Sequence, residues 1–149
     1  MNKKLCLLTI AALITTPACA QVSEKQTNVM KQLIEGYAKM TKAEADKKKS
    51  AAESFSADNG RQIYLASRNW EGEEQPACAT CHTDDPKKVG KHIISKKPIN
   101  PLAPAANPER FTDIAKVEKN FSKHCNELYN RDCTAQEKGH FLTYLLSVK

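Results

Sequence analysis

Five consecutive residues, Cys78-Ala79-Thr80-Cys81-His82, carry the chemistry that this chain can do. Two thiols three positions apart can each add across one vinyl group of a haem. The histidine that follows then brings an imidazole under the iron. This is the c-type haem attachment signature. It makes Cys78, Cys81 and His82 the predicted cofactor-binding residues for one covalently attached haem c, with His82 an axial ligand. A structural zinc site is the rival reading, but it needs four protein ligands, and no second Cys-x-x-Cys or His-x₃₋₅-His pair exists here. A thioredoxin-like redox pair needs a βαβ setting, and no strand pattern surrounds the motif. Pro76 and Asp84-Asp85-Pro86 instead bracket it as loop punctuation. No other group of residues reads as catalytic machinery.

The second axial ligand decides what such an iron does. Methionine is the usual choice in an electron-carrying cytochrome c, supplied from downstream of the motif. Here Met30 and Met40 both lie upstream, and the downstream candidates are His92, His124 and His140. Ile114, Val117 and Phe121 step by three and four along a predicted helix, and His124 is the next step on that stripe. The expected metal ligands are therefore His82 and His124. His92, His140, Asn126 or an open coordination position are the alternatives.

The rest of the chain must hold these groups. Residues 1–20 read as a secretory signal peptide: Lys3-Lys4, an apolar run from Leu5 to Ile14, then Ala18-Cys19-Ala20 as a cleavage site. That implies an exported, periplasmic protein with no membrane span in the mature chain. Loss of Lys3 and Lys4 takes two from the formal charge of +6, leaving a mild positive excess. Such an excess does not argue for nucleic acid, and it fits docking on an acidic redox partner protein. Cys6 and Cys19 leave with the signal, and haem takes two of the remaining four cysteines. Cys125 and Cys133 are expected to pair as a disulfide, two free thiols being the alternative.

Helices are expected from Ser23 to about Met40, with helix formers continuing over 42–53, and from a Ser56 cap over about 57–67. A further helix runs from Thr112 or Asp113 to about His124. The last follows the capping box Thr134-Ala135-Gln136-Glu137, with Leu142, Leu145 and Leu146 buried and Phe141 and Tyr144 at its margins. Gly60 would let another helix approach closely, so the helix near Ala57 and the last helix are expected to cross. Trp70, the only tryptophan, reads as a core or loop-packing residue, with a place at the haem edge the alternative. The stretch after the haem motif carries Lys87, Lys88, Lys91, Lys96 and Lys97 and four prolines. It reads as a loop wrapping the haem, with Ile93, Ile94, Ile99 and Leu102 turned inward and the lysines on a docking surface or simply solvated. The fold class is all-α: a signal peptide (1–20), an N-terminal helical extension (21–54) and a class I cytochrome c-like haem domain (55–149).

Several runs then resemble one family. They are Gln32-Leu33-Ile34-Glu35-Gly36-Tyr37, Pro101-Leu102-Ala103-Pro104, Arg110-Phe111-Thr112-Asp113, Val117-Glu118-Lys119 and Arg131-Asp132-Cys133-Thr134 with Glu137-Lys138. Together they resemble the sphaeroides haem protein family, small class I-like cytochromes c of bacteria. The resemblance covers most of the mature chain, residues 41–53 less well. It implies a cytochrome c fold with an N-terminal extension and a disulfide matching Cys125 and Cys133. It implies a dihaem cytochrome c as electron donor. It also implies an asparagine ligand just before the first disulfide cysteine, which leaves the iron on reduction and opens it to O2 or NO. This sequence has His124 at that position. Two functions follow: one-electron transfer through a His/His-ligated haem, or gas binding at the ferrous iron.

Overall fold

A computed structural model describes residues 22–149 apart from Glu71, and the side chain of Trp70 lies outside that description. The expected signal peptide, with Cys6 and Cys19, also lies outside the described residues. Five helices and two short antiparallel ribbons follow one another: α1 (Glu24–Lys48), α2 (Ala57–Leu65), β1 (Arg68–Trp70), β2 (Glu73–Gln75), α3 (Cys78–His82), β3 (Gly90–Lys91), β4 (Pro98–Ile99), α4 (Ile114–Tyr129) and α5 (Ala135–Ser147). The helical class holds. The two ribbons, β1 with β2 and β3 with β4, are additions to the expected all-helical outline.

Each long helix starts where its sequence supplies an oxygen for the free amides of the first turn. Ser23 and Gln26 form a reciprocal capping box on α1, and Ser56 Oγ accepts from the Asn59 amide on α2. Asp113, not Thr112, caps α4. α1 is one helix of 25 residues rather than a helix ending near Met40. Its second half has no apolar stripe to announce it, but it is made of Ala, Lys and Glu, which favour helix without packing. α4 also overruns its expected end and carries on through Cys125 to Tyr129, where Asn130 stops it in the left-handed conformation (φ 51°).

The core joins three helices. Met30, Leu33 and Tyr37 of α1 pack with Tyr64 of α2 and Leu142, Tyr144 and Leu145 of α5. Tyr144 is 7% exposed, a core residue and not the marginal one expected. α2 crosses α5 where expected, at Gly60. A Cβ there would meet His140 O at 2.1 Å and Tyr144 Cβ at 2.6 Å. α1 is fastened to the loop before α4 by a buried amide: Gln26 Nε2 shares its two hydrogens among the carbonyls of Pro104 (3.2 Å), Asn107 (2.9 Å) and Arg110 (2.9 Å). α1, α4 and α5 also meet at Glu118, which accepts from the Tyr37 hydroxyl and pairs with Lys138 at 2.7 Å. Burial first, then the Glu118 carboxylate, hold Tyr37 in its neutral, donating form.

The start of α5 carries a testable charge. Thr134 and Glu137 cap each other, and Arg131 grips Glu137 with two nitrogens at 2.7 and 2.8 Å. Arg131 first, then the Thr134 amide, lower the pKa of Glu137 against the opposing effect of burial. A carboxyl held below its ordinary range stabilises the fold at neutral pH, and that contribution fades as pH falls through the folded-state pKa. Glu137→Gln should therefore cost about 0.5–1 kcal/mol at pH 7, through the charge lost toward the half-exposed Arg131 and the first-turn amides, since glutamine can still cap. The gap to wild type should narrow below the ordinary carboxylate range in thermal melts taken across pH. An equal gap at every pH would sink this account.

Candidate haem site

α3 is a single helical turn made of the motif itself. Residues three apart on a helix share a face, so Cys78 and Cys81 are presented together. Both thiols are unpaired and half-buried. Burial is the main reason the Cys78 thiol is pushed up to about 11, so it rests protonated and without a disulfide partner.

The turn is fixed from two sides. Tyr64 of α2 sends its hydroxyl to the carbonyls of Thr83 (2.5 Å) and His82 (3.1 Å), tying the end of α3 to the core. Thr83 sits at φ 62°, ψ 163°, a region that residues other than glycine rarely enter. The Tyr64 contact and the Thr83 Oγ1 bond to Asp85 O (2.7 Å) hold it there. On the other side β3 lies against the motif: a Cβ on Gly90 would sit 2.0 Å from Cys81 O. Only a glycine lets the strand come this close.

His82, the residue expected to ligate iron, is half-buried. Its Nδ1 is buried and has no hydrogen-bond partner. Its pKa is lowered to about 4, by burial first, then by the charges of Arg110 and His124. The ring is thus neutral near pH 7, the form that ligates metal. Two half-buried free thiols on one face and an unpartnered neutral imidazole beside them fit a covalently held haem. The haem brings a reversible one-electron iron couple.

The other histidines differ sharply. His140 is 5% exposed and accepts the Ser56 amide at Nδ1 (2.9 Å). Its Nε2 therefore carries the proton and lies 2.9 Å from the Gln136 amide. Turning the Gln136 oxygen toward it also gives that oxygen, otherwise buried without a partner, its donor. His140 is a satisfied core residue that fixes the start of α2. His92 is exposed, and its Nδ1 accepts from the amides of Ile94 (3.3 Å) and Ser95 (3.1 Å). Asn126 spends its amide on Ser122 O (2.8 Å) and Asp132 Oδ1 (2.7 Å).

His124 is exposed, and its Nδ1 lies 3.0 Å from Glu127 Oε2. The expected apolar stripe on α4 does not hold along its length. Val117 and Cys125 are buried and Phe121 half-buried, while Ile114 is 40% exposed. The packed row runs in steps of four through Val117, Phe121 and Cys125, where the disulfide to Cys133 (Cα–Cα 5.5 Å) draws the helix in. His124 stands one residue off that row. Tyr64, Arg110, Gly90 and Glu127 are site residues that sequence reasoning missed, and only Tyr64 had a signal, as a polar tip on an apolar helix face.

Residues 50–145 match the family described as "Domain of unknown function (DUF1924)". The chain is 53% identical over 74 residues to cytochrome c'' of Methylophilus methylotrophus, covering 50% of this chain and 51% of that one. The matched stretch thus spans about half the length of that relative. It is 36% identical over 138 residues to cytochrome c-type protein SHP of Cereibacter sphaeroides, covering 93% of this chain and 95% of that one. The crystal structure of oxidised cytochrome c'' superposes with a TM-score of 0.71 at 37% identity, over 82% of this chain and 96% of that one. Oxidised SHP, described as an oxygen-binding cytochrome c, gives 0.62 at 36% identity, over 78% and 94%. By these matches the chain belongs to the DUF1924 family and is a monohaem c-type cytochrome of the SHP and cytochrome c'' kind.

Proposed function

We propose that the protein is a periplasmic one-electron carrier whose haem is gripped by His82 and His124. The observation that carries the ligand pair is that neither His82 nor His124 spends a ring nitrogen on a backbone amide. His92 and His140 are committed to backbone amides, whereas His124 leans only on the exposed Glu127. The disulfide at Cys125 limits where its neighbour can go. Two imidazoles give a lower potential than an imidazole and a thioether, which suits electron delivery at low potential.

The ferric His124→Ala protein should change from six-coordinate low-spin to high-spin, with wild type low-spin under the same conditions. Identical spectra would remove His124 from the iron. A second reading is favoured by the oxygen-binding description of oxidised SHP. In it His124 leaves on reduction, Glu127 takes up the freed ring, and O2 or NO reaches the ferrous haem. Rapid carbon monoxide binding by the ferrous wild type selects that reading, and indifference to carbon monoxide selects the carrier.

A further inference from the structure

Of the four residues expected inward after the haem motif, Ile99 is half-buried and Leu102 packs against the core, but Ile93 and Ile94 face out. Ile94 is 82% exposed, Val89 59% and Ile93 37%. The physical reason is the β3–β4 ribbon. Gly90 pairs with Ile99 and Lys91 with Pro98, so 92–97 must form a projecting tip. That tip is built. His92 N donates to Lys97 O (2.9 Å) and Lys96 N to His92 O (3.0 Å), and the His92 ring accepts two amides inside the turn. Lys96 adopts the left-handed conformation (φ 58°) to close it.

Charge is concentrated around this apolar tip. From Pro86 to Pro108 there are five lysines and no acidic residue. Lys88, Lys91, Lys96 and Lys97 are exposed and pair with no carboxylate among the described residues. The finger also adjoins the haem-attachment turn: Gly90 rests on Cys81, and Ile93 lines one cleft with Ala77 and Thr80 of the motif region. An apolar centre with a polar charged rim is the layout of a protein-docking patch, and unpaired like charges steer an oppositely charged partner.

We propose that the 88–97 finger is the electron-transfer docking surface, and that its partner is an acidic redox protein whose carboxylates ring an apolar spot. Val89 and Ile94 seat in that spot, and Lys88, Lys91 and Lys97 meet the carboxylates. The position beside the attachment turn favours a redox protein over a lipid surface, which has no electron to exchange. This inference rests on the electron-carrier reading.

The test uses haem-loaded protein and reduced flavodoxin, an acidic one-electron donor, in stopped flow across ionic strength. Dithionite reduction serves as the docking-independent control. Lys88→Glu/Lys91→Glu/Lys97→Glu should lower the flavodoxin rate constant about tenfold or more at low ionic strength and converge on wild type in high salt. Val89→Ser/Ile94→Ser should lower it about fivefold at every ionic strength. Both should match wild type with dithionite. Flavodoxin rates equal to wild type in both variants overturn the proposal. So does a defect confined to binding of phosphatidylglycerol vesicles, which would assign the finger to membranes. A wild-type iron that dithionite and ferricyanide fail to cycle brings down the carrier reading, and the docking face with it.

Discussion

Alanine at both Cys78 and Cys81 should yield a chain that keeps no haem through denaturation, while wild type retains its colour on a denaturing gel. The reason is bond type. A thioether survives unfolding, and axial coordination by imidazole does not. The single turn of α3 makes both bonds possible at once, because its i,i+3 spacing sets the two thiols on one face and His82 follows directly. Single alanine variants should keep one bond and therefore stay coloured. The loss also reaches the fold, because the axial bonds that a tethered haem makes form only in the native state. The double variant should melt well below wild type. Retained colour on the gel in the double variant would end the assignment of these cysteines.

Gly60→Val should be the most damaging change away from the haem. The new side chain begins 2.1 Å from a backbone oxygen of α5, and backbone cannot swing aside. α2 and α5 must separate, which strains the core around Tyr64 and the Ser56–His140 bond that joins the same two helices. Overpacking of this kind costs about 3 kcal/mol, roughly a 10 °C fall in melting temperature. Gly36→Ala is the matched control. It also adds a methyl group inside a helix, but nothing lies within 4 Å of the new atom. It should raise stability by about 0.5–1 kcal/mol through helix propensity alone. Equal melting of the two variants, measured by circular dichroism on haem-loaded protein, would contradict the packing argument.

These contrasts mark what the sequence could announce. The haem motif is legible because its chemistry lies in adjacent residues. The caps at Ser56 and Thr134 and the close approach at Gly60 are legible because each needs a particular residue type. The ribbons are not, since strands of two or three residues have no period to detect. Ile93 and Ile94 misled for that reason: in a loop apolar side chains are expected inside, but at the tip of a ribbon they have nowhere to bury. The apolar stripe drawn through His124 misled differently. Spacing places a residue on a helix face only to within a step, and the row that packs through Cys125 runs beside the row that spacing alone suggested. His140 carried a signal in Gln136, one helical turn before it, which supplies the ring's second partner.

The buried amide of Gln26 has a consequence for any shortened version of this molecule. A piece limited to residues 50–145, the span of the family match, would leave the chain from Pro104 to Arg110 facing water or bare hydrocarbon where a donor once answered three carbonyls. That same chain leads directly into the helix bearing His124. The span of the family match is therefore less than what the molecule needs to stand, and the leading helix behaves as a keystone rather than an appendage.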